Sequence, residues 1–440
     1  MLSDALPLLS VFPSPPDWQR LAEHLPYEWI EDALIYNGKA SIRRRRLPAE
    51  QVVWLVIALA LFRHRSVRQV ISELDLTLPG MDERFITGSA VTQARQRIGA
   101  EPIKWLFEAS SKRWSEHDTE PELFHGLSLL AMDGTTLRLA DSKVNRAHFG
   151  SGSYANESIG SYPQTRGVTL CKLDSQLVIA AQFEPFSTSE MTMAKQLLPQ
   201  VPNNSLTIFD RGYWSGELMC NLVEGENRHF LIPAKSNSKW KLIEGTAEDG
   251  LVEIANSPQT RKRNPALPAV WRARALKAIS STGTISYLIT SLTDRKKYKA
   301  KQVIDCYARR WQIETSYREL KHTMMGMALT MRSQSIEGVA QEIWGALIAY
   351  NLVRVEMAKA ALLVNCAPTR ISFILALQTI QFEMGSMTAT MAPGNLPGVL
   401  IRMRERLTKQ LNVLRPDRKF DRVVKAKAQR YKETRLKKTA

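Results

Sequence analysis

The sequence predicts an α/β protein: a mixed sheet with helices packed on it, carrying a strand-rich insertion and flanked by helical N- and C-terminal regions. Three observations predict this. Between residues 119 and 233, short apolar runs alternate with helical patterns. From 234 to 296 the regular parts read as strands, set among Ser, Pro and Gly. On either side, residues 1–118 and the chain from 297 onward carry helical periodicity.

In the first region, Pro48 stands where a first-turn proline opens a helix, and Val52, Val53, Leu55, Val56, Leu59 and Leu61 give it an apolar side. This apolar run falls far below the roughly 20 residues needed to span a bilayer, so it reads as a buried helix. A short helix follows over Ser66 to Leu74, and another starts at Ser89, a suitable N-cap, and continues through Arg97. Helix, turn, helix with Ser, Thr, Gln and Arg on the last element suits a DNA-reading helix, and it suits a plain bundle equally. Arg43, Arg44, Arg45 and Arg46 repel one another unless an anion is near, which points to phosphate contact. Residues 1–118 are therefore expected to form a helical DNA-binding domain.

The core opens with Leu127 to Met132, a buried strand expected to end at Asp133 and a turn. Residues 139–164, rich in Ser, Gly and Asn, read as a loop. Strands follow at Gly167 to Leu173 and Gln176 to Phe183, joined by the hairpin signal Asp174-Ser175. A helix over Ser187 to Leu198 leads to the run Leu206 to Phe209, which ends at Asp210. A helix at Ser215 to Val223 and a strand at His229 to Ile232 complete this part. The first three strands can form an antiparallel meander, and the later ones can join by helical crossovers. In the insertion, strands are expected at 251–254, 270–278 and 284–292. Beyond it lie helices over Ala300 to Met325 and Gly338 to Leu363. Residues 297–365 thus complete the core, and 366–440 form a helical, basic C-terminal region suited to dimerisation or DNA contact.

The net charge of +17 on 440 residues argues for a polyanionic partner, because Lys and Arg neutralise phosphates and release counterions. Nearly half of it, a surplus of eight, falls from Arg415 onward. Cys171, Cys220, Cys306 and Cys366 form no paired motif, so a disulfide scaffold or zinc ribbon is not indicated and a reducing cytoplasm fits. The N-terminus does not read as a signal peptide.

Asp133 and Asp210 each follow a strand and precede a nearby glycine. Singly, such residues are usually turn formers. A third element changes the weighting. At 3.6 residues per turn, Tyr307, Arg310, Glu314 and Lys321 share one helix face within an arc of roughly 60°. One carboxylate among two cations and a phenol is an odd stripe for a core. It suits a surface that grips phosphates and donates one metal ligand. The competing Glu319 points elsewhere, near 120°.

The spacing Tyr-x2-Arg-x3-Glu-x6-Lys resembles the signature of the DDE transposases of the insertion-sequence-4 (IS4) family. Asp133-Gly134-Thr135 and Asp210-Arg211-Gly212-Tyr213 resemble its two Asp motifs. The resemblance covers most of the chain. It implies a ribonuclease-H-like (retroviral-integrase-like) sheet interrupted by an inserted β domain. The gaps of 77 and 104 residues between the three acids suit a family with an insertion before the Glu. It further implies a catalytic and metal-binding set of Asp133, Asp210 and Glu314, and DNA contacts from Tyr307, Arg310 and Lys321. A tryptophan of the insertion stacks on a flipped base in that family. Neither Trp240 nor Trp271 can be matched to it, and both read as core residues.

The expected cofactor is Mg2+, two ions with Mn2+ able to substitute, Asp133 bridging them while Asp210 and Glu314 hold one each. The expected partners are double-stranded DNA, as transposon ends and target, and a second copy of the chain when assembled on DNA. The expected place is the bacterial cytoplasm, at the nucleoid. Two rivals stand beside this reading: another ribonuclease-H-like nuclease, and an inactive transposase-derived DNA-binding regulator. Glycoside hydrolysis by paired carboxylates explains neither the charge nor the helix stripe.

Overall fold

The computed structural model describes residues 25–40, 47–73, 87–116, 123–152, 162–279, 285–325, 330–386 and 396–412. The expectations placed on Arg43, Arg44, Arg45 and Arg46 and on the tail from Arg415 lie outside the described residues.

The N-terminal region is helical: α1 (Tyr27–Tyr36), α2 (Ala49–Leu61), α3 (Val67–Glu73), α4 (Gly88–Ile98) and α5 (Glu101–Glu116). Pro48 precedes α2 in an extended conformation, and Thr87 caps α4 by accepting from the N–H of Ala90. Helix α2 is buried along nearly its whole length, as its continuous apolar sequence requires.

The sheet contains β1 (Leu123–Phe124), β2 (Leu127–Arg138), β3 (Gln164–Lys172), β4 (Val178–Pro185), β5 (Ser205–Phe209), β6 (Arg228–Pro233), β7 (Lys241–Gly245), β8 (Asp249–Ala255), β9 (Val270–Ile279) and β10 (Ile285–Thr290). Their order is β4-β3-β2-β5-β6-β10-β9-β8-β7, with β1 beside β2. The pairs β2–β3 and β3–β4 are antiparallel, whereas β5 runs parallel to β2, and β6 to β5. This central arrangement is the ribonuclease-H-like core. The insertion strands continue the same sheet, because β10 pairs antiparallel with β6 and β9, β8 and β7 follow outward.

Two local expectations change. Strand β2 does not end at Asp133. It stays paired with β3 from Asp133 opposite Thr169 to Arg138 opposite Gln164, because β3 is long enough to continue the ladder. The stretch read as a loop contains α6 (Lys143–Phe149), capped by the Ser142 hydroxyl and closed by Gly150 at positive φ.

Helices cover both faces of the sheet. On one face, α7 (Glu190–Leu197) and α8 (Gly216–Val223) bury Met193, Leu197, Leu218 and Leu222 against Leu130, Met132 and Phe230. A short helix, α9 (Pro258–Arg263), lies in the insertion. The other face meets α10 (Ala300–Tyr307) and α11 (Trp311–Arg318), whose Val303 and Ile313 join Leu129, Ala131 and Ile208.

Next come α12 (Ile336–Leu363), α13 (Phe373–Ser386) and α14 (Leu396–Thr408). Helix α12 is buried along most of its length and is the axis of a cluster that takes in α1, α2, α5 and α13. The N- and C-terminal helical regions thus share a core. Asn351, fully buried on α12, ties that core to the sheet: its Oδ1 accepts from the N–H of Val178 at 3.0 Å and its Nδ2 donates to the Val178 carbonyl at 2.8 Å. The Glu342 carboxylate on the same helix takes the Arg63 guanidinium and the N–H groups of Arg332 and Ser333 at 3.0 Å. Among the described residues, no helix is long and apolar enough to cross a membrane.

Two outcomes are expected. Asn351→Leu leaves a backbone donor and acceptor of Val178 buried without partners, which should cost about 3 kcal/mol in urea-melt stability. Burial raises the Glu342 carboxyl, but Arg63 and the two N–H donors outweigh it and hold its pKa below the usual range. A depressed folded pKa contributes stability above the unfolded value, lost as pH falls through the folded one. Thermal melts of Glu342→Gln against pH should show a loss near neutrality that narrows below about pH 4.

Candidate active site

Parallel pairing of β2 with β5 builds the first half of the site. Met132 lies opposite Phe209, the last residue of β5. Asp210 therefore leaves the sheet beside Asp133, and the two carboxylates come from adjacent strand positions. Asp133 accepts from the Gly134 N–H through Oδ1 at 2.7 Å. Asp210 opens a single 3-10 turn, Arg211–Tyr213, and its Oδ1 accepts from the Gly212 N–H at 2.7 Å.

Glu314 arrives on α11. The hydroxyl of Tyr317 on this helix donates to the Asp133 carbonyl at 2.5 Å, and the Thr169 hydroxyl lies 2.9 Å from the same phenol. That contact clamps the helix onto the strand that carries Asp133. Between the two elements stands Arg310. Its Nη1 donates to Asp133 Oδ2 at 3.3 Å and its Nη2 to Glu314 Oε1 at 2.7 Å.

The electrostatics agree with this convergence. Burial pushes the Asp133 carboxyl up to about 6, and the carboxylates of Asp210 and Glu314 push the same way, against the Gly134 N–H and Arg310. Burial likewise raises the Tyr307 phenol, with Arg310 and Asp210 acting on it in opposite senses. Burial lowers the Lys321 ammonium, and the Asp133 carboxylate opposes that shift. Its Nζ lies 5.8 Å from the centre of the Tyr317 ring. The structure thus gathers Asp133, Asp210, Glu314, Tyr307, Arg310 and Lys321 around one place.

The expected single helix over 300–325 is wound three ways. A 3-10 turn at Ala308–Arg310 separates α10 from α11, and a π segment, Glu319–Met324, carries Lys321. The winding changes at Glu319, whose carboxylate is drawn onto the buried guanidinium of Arg354, with the Tyr350 hydroxyl 3.3 Å away. Glu319 does point away from Asp133.

Tyr317 is absent from the residues singled out by sequence. Its signal was its place on the same helix, but an aromatic at that spacing usually signals only packing. Trp271 is buried, 5.8 Å from Phe230 and 6.3 Å from Trp214. Trp240 is half-buried against Tyr287. On α4, Ser89, Thr92, Gln93 and Gln96 are exposed. Two arginines of that helix turn inward: Arg95 to Gln341 and the Gly338 carbonyl, Arg97 to the Leu47 carbonyl.

An oxygen-only set of carboxylates has the chemistry that a hard divalent cation prefers. Among the described residues, no three Asp, Glu, His or Cys side chains stand close enough to enclose an ion as they lie. The Arg310 guanidinium supplies the positive charge between Asp133 and Glu314. In kind, the donor set fits a hard divalent cation.

Comparison with known proteins agrees with the fold and the motifs. Residues 15–108 match the insertion element 4 transposase N-terminal family, and residues 124–352 match the transposase DDE domain family. The transposase InsG for insertion sequence element IS4, from Escherichia coli, is 36% identical over 414 residues, covering 93% of this chain and 92% of that protein. The putative transposase InsZ of the same organism is 36% identical over 242 residues, 54% of this chain and 79% of that one. The piggyBac transposase synaptic complex with hairpin DNA, solved by cryo-electron microscopy, aligns over 92% of this chain and 87% of its own at 12% identity and a TM-score of 0.46. By its two matched domains and its near full-length relative, this chain belongs to the IS4 family of DDE transposases.

Proposed function

We propose that this chain cuts the ends of its own element and joins them to new DNA, using Asp133, Asp210 and Glu314 as ligands for two Mg2+ ions. The single observation that supports the reading is that the Arg310 guanidinium joins Asp133 to Glu314, far apart in sequence, while Asp210 leaves β5 beside Asp133. Divalent cations held there would activate the attacking oxygen, stabilise the leaving oxygen and relieve charge at phosphorus, and Mn2+ can substitute.

Asp133, Asp210 and Glu314 would hold the cations, with Asp133 the residue on which both other acids act. Arg310 exchanges partners. It leaves Asp133 and Glu314 for a phosphate of the element's end, where its planar fork can make paired hydrogen bonds. Lys321 and Tyr307 flank it, Lys321 as a point charge and Tyr307 as a hydroxyl donor. Water is the first nucleophile and leaves a 3′-OH, which attacks a second phosphodiester. Arg43, Arg44, Arg45 and Arg46, with the polar face of α4, contact the DNA outside the site. Joining two ends needs at least two copies of the chain on DNA.

The test is incubation with DNA carrying the chain's own flanking repeats, in Mg2+ and in Ca2+, with every new end mapped. Mg2+-dependent 3′-OH ends and strand-transfer products are expected; cutting without strand transfer would favour a plain nuclease, and no cutting a DNA-binding regulator. Glu314→Gln is expected to bind the ends like wild type and to cut none of them. Residual Mg2+ cleavage by that variant would remove Glu314 from the site. Arg310→Ala should weaken end binding by about tenfold to a hundredfold, the worth of one or two charge-assisted hydrogen bonds. A gel-shift titration at moderate salt reads this, and wild-type affinity there would refute the phosphate role.

A further inference from the structure

We propose that the groove where the N-terminal helices meet the start of α12 holds a backbone phosphate of the bound duplex, with Arg332 and Arg95 as its contacts; the inference rests on the reading that the chain binds the DNA of its element's ends. The groove has a volume of about 480 Å3. Its floor is apolar, with Leu59 and Ala60 of α2 and Val67 of α3, and its rim carries Arg63, Arg95 and Arg332.

Two carboxylates, Glu337 and Glu342, also line the groove, and both are already engaged. Glu337 accepts from the Ala100 N–H at 2.5 Å. Glu342 takes Arg63 and the N–H groups of Arg332 and Ser333. The remaining guanidiniums meet neutral acceptors. Arg95 donates to Gln341 Oε1 at 3.0 Å, to the Gly338 carbonyl at 3.2 Å and to the Ser333 hydroxyl at 3.3 Å. Arg332 is exposed, and its Nη1 donates to the Arg65 carbonyl at 3.2 Å. Burial lowers the Arg332 pKa, Arg63 lowers it further and Glu342 opposes both. Guanidiniums held this close repel unless an anion lies between them. A phosphate suits the place, because its oxygens accept the paired hydrogen bonds of an arginine fork. Arg95 is already fixed by three bonds, so little freedom is lost when it binds.

The surroundings fit a duplex. The groove opens on the exposed Thr92 and Gln96, on the polar face of α4. Its other wall is tied to the core. Thr330 bridges Arg138 of β2, and the Met331 N–H donates to the Arg138 carbonyl at 2.8 Å. The Ser142 hydroxyl donates to the Gln334 carbonyl at 2.9 Å, and Asn145 Nδ2 to the Ser333 carbonyl at 3.0 Å. Asp133 and Arg138 are separated on β2 by roughly 17 Å of strand, the length of about five base-pair steps. One duplex can therefore meet both the acids and the groove within a single turn. The groove exists only where the N-terminal region and the core meet, so this contact sets one against the other.

Binding of the full chain to two duplexes of equal length, one with the element's end and one of unrelated sequence, tests this. Fluorescence anisotropy over a salt series, without divalent ions, is the readout. Each neutralised phosphate steepens the fall of log K with log salt by about 0.9. Arg332→Ala should make the slope shallower by about one for both duplexes. Its loss of affinity should shrink about threefold between about 50 and 200 mM salt. Arg332→Lys keeps the charge and should keep the wild-type slope. An unchanged slope in Arg332→Ala, with the wild type binding the end, would overturn the proposal and leave end binding standing. A loss confined to the element's end would also overturn it, since a backbone contact reads no sequence. So would an equal change of slope in Arg332→Lys, because the charge would then not be responsible. If the wild type binds neither duplex, the end-binding reading fails, and this proposal with it. Should Arg332→Ala fail to melt cooperatively, Gln96→Glu, an exposed change on the same groove, decides alone. It should weaken binding to both duplexes, and unchanged affinity there refutes the phosphate contact.

Discussion

The parallel ladder between β2 and β5 is the constraint on which the rest depends. It stops at Met132 and Phe209, while β2 continues against β3. Two results follow from that one mismatch in length. Asp210 leaves the sheet beside Asp133, and the side of β2 beyond residue 132 is left open. Asp133 is fixed by backbone pairing with β3, and Asp210 follows directly on the last paired residue of β5, so both stand on or beside a rigid ladder.

The third acid is placed by side chains. Tyr317 is bonded to the Asp133 carbonyl, so the strand and the helix carrying Glu314 cannot drift apart without breaking a buried hydrogen bond. Two residues further, Glu319 is tied to Arg354 and Tyr350 on the long central helix. That helix is also held to β4 by Asn351 and to the N-terminal bundle by Glu342. A buried ion pair gives little net stability but a well-defined geometry, and here it falls where α winding gives way to π. The helical regions around the sheet thus act as the frame that fixes Glu314 and Lys321 relative to Asp133.

Much of this was legible in the sequence, for physical reasons that differ by element. Strands β3 to β6 and their helices announce themselves because buried strands are short apolar runs and the helices begin at Ser caps. The acids were legible as a set because three motifs occur in order. The extension of β2 past Asp133 was not legible: Gly134 and Thr135 read as a turn, and only the length of β3 makes them strand. The union of insertion and core into one sheet was hidden too, since β10 pairs with β6 across about fifty residues of sequence. Tyr317 carries no local mark beyond its aromatic character, and its hydroxyl acquires meaning only when strand and helix meet. The uniform wheel assumes one winding from Tyr307 to Lys321, whereas the real helix tightens to 3-10 at Ala308–Arg310 and loosens to π from Glu319, which no local residue pattern announces.

Charge balance bears on why the proposed site would favour a cation. Asp210 and Glu314 both act on the partly buried Asp133 carboxyl in the sense of like charges. Burial raises the Asp133 carboxyl first, with Asp210 and Glu314 adding to the rise, and the guanidinium at 3.3 Å does not cancel it. A single charge spread over a planar group cannot satisfy carboxylates that approach from a strand, a turn and a helix. A doubly charged, compact ion can, because attraction scales with charge and falls with distance. On the proposed reading, a cation taking the place of Arg310 would release that guanidinium for a phosphate, so DNA and cation would not compete for the acids and Arg310 would couple the two.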